Sequence, residues 1–257
     1  MGYQQFGIPK GWSYRTVTFR KVGSTQHTFD LRDITPVRSD GSAFGTTFSD
    51  RCYANIYLQP LDAEGKGIYG QKYYYYSTKT GGVTDGWYAG KKTESGIKVT
   101  EPVLIRDGEG LIVYCDLTAA ARLQVNGEVD LTDNTTAIPT GWSFSGNFTP
   151  VDIDIQNIVP LKTDGTPFGT TFSDRCYANI YIQPLDDEGQ GIYGQKYYYY
   201  STKTSGVTDG WYAGKKTESG TKVTDPLTFT AGKGFIVYCD LTAGARLSIN
   251  KVIVPQE

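Results

Sequence analysis

The chain has 257 residues, with Lys plus Arg at 25 against Asp plus Glu at 27 and no strongly basic stretch, so bulk electrostatic binding to nucleic acid is not expected. The hydrophobic share of 39% is low for a globular chain while aromatics reach 14%, with Tyr at 20 positions and Met at one; together with Thr, Val and Gly this favours β-structure with polar faces over helix. No apolar run approaches the roughly 18 to 20 residues that cross a bilayer as a helix, so membrane insertion is not expected either.

From its first residues the chain reads as a tandem of two β domains, 1–127 and 128–257. Met1, Gly2, Tyr3, Gln4 and Gln5 do not read as a secretory leader, which suits a mature exported form and a cytosolic protein equally. WSYRTVTFR from Trp12 alternates aromatic and β-branched residues with polar ones, as a strand does, and Trp142 opens the second copy in the same way. The interval from Trp12 to Cys52 is six residues longer than that from Trp142 to Cys176; the extra residues fall around Lys21 to His27 and are expected in an enlarged hairpin loop. The block FGTTFSDRCYANIY, Phe44 to Tyr57, then returns unchanged at Phe168 to Tyr181. Beyond an acidic, Gly-rich turn comes QKYYYYSTKT, where period-two alternation sends Tyr73 and Tyr75 to one face and Tyr74 and Tyr76 to the other. Trp87 and Tyr88, a polar GKKTES hairpin, the strand GLIVYCDL and a closing strand ARLQV follow, each with its counterpart. Strands at this spacing, divided by turn signals, predict two homologous antiparallel β-sandwich or barrel domains. Residues Asn126 to Thr140 read as a polar seam between them.

Cys52 and Cys115 recur as Cys176 and Cys239, and alternation places both members of each pair on the apolar faces of their strands, Cys52 with Ala54, Ile56 and Leu58. One disulfide within each copy is the preferred reading, and two buried free thiols the alternative. Zinc is not expected, because there is no close Cys pair and His27 is the only histidine.

Candidate chemistry is sparse. His27 has no counterpart, which excludes a His-dependent triad in both copies. The repeated carboxylates Asp50, Asp62, Glu64, Asp85 and Glu94, with Asp174, Asp186, Glu188, Asp209 and Glu218, sit mainly beside Gly or Ser, where they cap turns. The turns of Asp62 and Glu64, and of Asp186 and Glu188, are the better candidates for calcium, without the spacing of a known calcium loop. Asp50 and Arg51, like Asp174 and Arg175, are expected to pair or to cap a turn. No arrangement reads as a catalytic centre or a cofactor site, so a non-enzymatic protein is expected. The candidate interface residues are aromatic: Tyr74, Tyr76, Trp87 and Tyr88, with Tyr198, Tyr200, Trp211 and Tyr212. Such rings bury at protein interfaces or stack on sugars, or else pack within a sheet.

The Gly-Trp pair near each domain start, the Cys strand, the Tyr strand followed by a Gly-Trp turn and the glycine-containing hairpin before an apolar strand resemble uncharacterised exported β-repeat proteins of Verrucomicrobia and Lentisphaerae-type bacteria. That resemblance implies an exported location and a structural or surface role. The resulting expectation is a secreted or cell-surface structural protein that self-associates into a layer or filament or joins a cell-surface protein partner. The alternative is a tandem carbohydrate-binding module that uses exposed Tyr and Trp.

Overall fold

The computed structural model describes residues 2–16, 18, 28–62, 66–78, 85–90, 96–106, 110–128, 134–186, 190–202, 209–214 and 220–249. The expected loop around Lys21 to His27 and the GKKTES hairpin lie outside them. The first copy contains β1 (Gly2–Ile8), β2 (Gly11–Thr16), β3 (Thr28–Asp30), β4 (Ile34–Arg38), β5 (Tyr53–Pro60), β6 (Tyr73–Tyr76), β7 (Gly86–Ala89), β8 (Ile97–Lys98), β9 (Leu104–Arg106), β10 (Gly110–Cys115) and β11 (Ala121–Gly127). The second contains β12 (Asn134–Ile138), β13 (Gly141–Gly146), β14 (Ile153–Asp154), β15 (Ile158–Leu161), β16 (Tyr177–Pro184), β17 (Tyr197–Tyr200), β18 (Gly210–Ala213), β19 (Thr221–Lys222), β20 (Thr228–Phe229), β21 (Gly234–Cys239) and β22 (Ala245–Ile249). Much of the expected polar seam is therefore strand: β11 runs to Gly127 and β12 is the counterpart of β1.

Each copy is an antiparallel β-sandwich. A three-stranded sheet, β1-β11-β4, faces a six-stranded sheet, β2-β10-β5-β6-β7-β8, and a short pair, β3-β9, closes one end; the second copy repeats this as β12-β22-β15, β13-β21-β16-β17-β18-β19 and β14-β20. Alternation makes the core. Ala121, Leu123 and Val125 of β11 point in while Arg122, Gln124 and Asn126 point out, and they meet Leu111, Val113 and Cys115 of β10 and Ile56 and Leu58 of β5. Tyr75 and Trp87 complete this layer, and the Trp87 indole N–H spans the sandwich to donate to the carbonyl of Ile34 (2.8 Å). Trp211 does the same to Ile158 (2.8 Å). A buried indole needs such a partner, and here it ties the two sheets together.

Two departures from regular alternation shape the outer face of the large sheet. Between Tyr53 and Tyr57 the pairing of β5 with β6 slips, and Ala54 takes φ 55°, as does Ala178 in β16. Asn55 supports this bulge by accepting the Tyr53 N–H on Oδ1 (2.9 Å). Ala54 thereby leaves the core face expected for it and packs among Tyr76 and Tyr88 on the outer side.

The cysteines correct the disulfide expectation: all four are free and buried. Both members of each pair do face the core, but register separates them. Cys115 lies opposite Ile56, and Cys52 is four residues before Ile56, just ahead of β5. That is roughly 10 Å of strand even allowing for the bulge, beyond the ~7 Å between Cα atoms that a disulfide can span. Burial raises the Cys115 and Cys239 thiols above their usual range, which suits small core hydrophobes rather than nucleophiles.

The copies meet through β2 and β13, the edge strands of their large sheets. Tyr14 stacks on Phe144 at 4.3 Å and 3° between planes, and the two are equivalent positions, each two residues after the strand's Trp. The Thr16 N–H donates to the Gly232 carbonyl (3.1 Å), and its hydroxyl to the Asn147 carbonyl (3.2 Å). The contact is thus an approximate two-fold, a surface meeting its own duplicate.

Candidate functional site

The outer face of each large sheet carries a row of rings that crosses five strands. Register sets Trp12 of β2 opposite Tyr114 of β10, Tyr114 opposite Tyr57 of β5, Tyr57 opposite Tyr74 of β6, and Tyr74 opposite Tyr88 of β7. Lys98 of β8 ends the row. Neighbouring centroids lie 5.0 Å apart for Trp12 and Tyr114, 5.1 Å for Tyr57 and Tyr114, and 5.2 Å for Tyr57 and Tyr74, in tilted and stacked pairs that supply cross-strand packing. The Lys72 ammonium sits over the Tyr57 ring at 5.2 Å. In the second copy Trp142, Tyr238, Tyr181, Tyr198 and Tyr212 repeat the row, with Lys196 5.0 Å from the Tyr181 centroid and 5.7 Å from that of Trp142.

Exposure divides the row. Trp12 and Trp142 are 48% and 52% exposed, whereas Tyr57 and Tyr181 are enclosed by their neighbours. Their hydroxyls lose water: the Tyr181 pKa is pushed up to about 12 by burial, then by the neighbouring phenols of Tyr198 and Tyr238, and that of Tyr57 rises for the same reasons. Of the residues expected from sequence, Tyr74 and Tyr198 lie half-buried on this face. Tyr76, Tyr88, Tyr200 and Tyr212 lie on it too, but are buried beside Ala54 and Ala178. Trp87 and Trp211 face the other way into the core, so they cannot present a sugar platform. The Gly-Trp pair singled out from sequence is the one that faces inward: alternation fixes which residues share a face but not which face is inside.

A second set of rings stands on turns. Phe48 and Phe172 are 87% and 88% exposed, and Tyr69 and Tyr193 are fully exposed. Both turns are tightly held. Around Phe48, the Asp50 N–H donates to Thr47 (3.0 Å), the Gly45 N–H to Asp50 (2.9 Å), and Ser77 Oγ to the Gly45 carbonyl (2.7 Å). A Cβ on Gly45 would overlap the Asp50 carboxylate and displace it from its place beside Arg38. The Tyr69 turn closes with the Gln71 N–H on the Ile68 carbonyl (3.1 Å) and Gly70 at φ 80°, and Gln59 Nε2 donates to the same carbonyl (2.9 Å). The sequence offered a signal for these rings, aromatic residues inside turn motifs kept in both copies, but strand reasoning passed over them.

The carboxylates are occupied with structure. Asp50 pairs with Arg38 rather than with Arg51, whose guanidinium lies between the rings of Phe48 (5.1 Å) and Tyr53 (4.2 Å). Asp174 pairs correspondingly with Lys162 at 2.5 Å. A cleft of about 200 Å³ opens beside the Arg38–Asp50 pair, between the Phe44 loop and the turn after β10. Asp62 and Asp186 accept the N–H groups of Lys66 and Gln190 (both 2.7 Å), the turn-capping role; Glu64, Glu188, Glu94, Glu218 and His27 lie outside the described residues. Among the described residues no cluster of three or more His, Cys, Asp or Glu side chains is placed to hold a metal, and no helix is long and apolar enough to cross a membrane. Comparison with protein-family models finds no match for this chain, and comparison with curated proteins finds none either.

Proposed function

We propose that this chain is a non-enzymatic, extracellular structural subunit whose two β-sandwiches assemble with copies of itself into a filament or layer. The observation that carries this reading is the presence of large, highly exposed aromatic side chains on tightly held turns, Phe48 and Tyr69, and again Phe172 and Tyr193. Leaving a ring of this size in water forgoes roughly 1.5–3 kcal/mol of burial. Neither turn needs a ring for its own geometry, because backbone groups and the Ser77 and Gln59 side chains close them. Holding the rings in fixed positions lowers the ordering entropy lost on contact. Two equivalent surfaces per chain give the valence that an open assembly requires. The β2–β13 contact supplies a precedent within the chain for a surface of this fold pairing with its duplicate. The exported location follows from the sequence resemblance.

The test is light scattering with negative-stain electron microscopy over a concentration series, on the native chain and on a variant with Phe48, Tyr69, Phe172 and Tyr193 all changed to Ser. The native chain is expected to form ordered filaments or sheets and the variant to stay monodisperse with unchanged circular dichroism. A native chain that is monomeric at every concentration overturns the reading.

A further inference from the structure

We propose that the half-exposed faces of Trp12 and Trp142, each with its lysine, are two equivalent binding sites for an acidic, uronic-acid polysaccharide. This goes beyond the assembly reading and uses different residues from it.

The internal duplication supplies the argument. β2 reads GWSYRT and β13 GWSFSG: their second halves have diverged at all three positions, yet Gly-Trp-Ser is kept in both. The inner-face reason for keeping it is Ser13 and Ser143, buried opposite Val113 and Val237. Trp12 and Trp142 have no such reason, since about half of each indole is in water and the rest leans on tyrosines. An outer-face strand position is ordinarily satisfied by a polar or β-branched residue. What an indole adds is a flat apolar face for the C–H side of a pyranose ring, with phenols beside it as hydrogen-bond donors and acceptors.

Charge selects the class of sugar. Lys72 holds its ammonium over Tyr57, the ring edge-on to Trp12 at 5.7 Å, and Lys196 stands 5.7 Å from the Trp142 centroid itself. Among the described residues neither ammonium makes an ion pair. A pyranose on the indole brings its ring substituents to this edge, where a carboxylate at C5 meets a cation already placed and only partly solvated. A neutral glycan leaves that cation unused. Two sites on one chain give a polymer the avidity of linkage when both engage.

Affinity electrophoresis through gels containing alginate, a uronate polymer, or dextran, a neutral one, tests the proposal, with tryptophan fluorescence titration as the second readout. The native chain is expected to be retarded by alginate and not by dextran, with the retardation falling as salt rises. W12A/W142A is expected to weaken alginate binding at least about tenfold, and K72Q/K196Q to weaken it severalfold while leaving the circular dichroism of the unliganded protein unchanged. No retardation of the native chain by alginate, equal retardation by dextran, or unchanged binding by both variants overturns it. The turn-tip Ser variant retains alginate binding if the two surfaces are separate, so this proposal and the assembly reading fail independently.

Discussion

The two copies are nearly identical in sequence from Phe44 onward and diverge before it, including in the second halves of β2 and β13, the strands through which they touch. In the shared block the main core and outer-face contacts recur: Trp87 on Ile34 and Trp211 on Ile158, Tyr53 on Tyr76 and Tyr177 on Tyr200. At the contact the duplicates diverge. Thr16 corresponds to Gly146, and a Cβ on Gly146 would lie 2.6 Å from the Lys233 carbonyl oxygen and 2.8 Å from Thr16 Cγ2. The lesson is steric: a surface that meets its own duplicate across an approximate two-fold has room for one side chain on the axis, so one copy keeps the Thr and the other gives way to Gly. A smaller difference lies at the sandwich end. Arg32 occupies both oxygens of Asp30 in the first copy; Gln156 replaces it in the second, and Asp154 Oδ2 has no hydrogen-bond partner among the described residues.

The largest expected effect acts on both copies at once. Tyr75 and Tyr199, held in the cores, have pKa values of about 12 through burial, then through the charges of Asp85 and Asp209, and Tyr181 is raised as far. A free tyrosine ionises near ~10, so the folded chain binds protons that the unfolded chain releases. The stability from these groups is fully present below pH ~10 and is lost as pH rises toward 12. Phenolate absorbance followed with circular dichroism should show the late-titrating tyrosines ionising together with unfolding; their ionisation in a folded chain would contradict the burial described here.

Next in size, Trp87→Ala and Trp211→Ala should each remove about 3–5 kcal/mol from their own domain, by cavity formation and by loss of the inter-sheet hydrogen bond. Calorimetry of the two variants should give matching losses, because the environments match; a marked inequality would break the equivalence of the copies. Gly146→Thr, which restores symmetry at the contact, should cost about 1–3 kcal/mol by overpacking and should loosen the link between the domains, seen as a split melting transition. Smallest, Gln156→Arg should add roughly 1 kcal/mol to the second domain by giving Asp154 the partner that Asp30 has.

The fold class was legible because the duplication and period-two alternation are properties of the letters themselves. The site was legible only in part, because alternation lacks an absolute phase. Tyr74 and Tyr76 were correctly parted from Tyr73 and Tyr75, yet nothing local says that Trp87 is inside and Trp12 outside; that depends on which sheet covers which face. Ala54 escaped because a bulge is a break in the very pattern being read. The disulfide reading failed for a related reason: sharing a face was visible, but the register between β5 and β10, which keeps Cys52 and Cys115 apart, is a long-range quantity.

The central claim is that each copy contributes one equivalent self-pairing surface, and sedimentation velocity of three variants tests it most directly. With Phe48 and Tyr69 changed to Ser, or Phe172 and Tyr193 changed to Ser, one surface remains and assembly should stop at dimers; with all four changed it should stop at monomers, while the native chain grows without a fixed end point. Polymers from either single-copy variant, or a native chain that sediments as a monomer throughout, would contradict it.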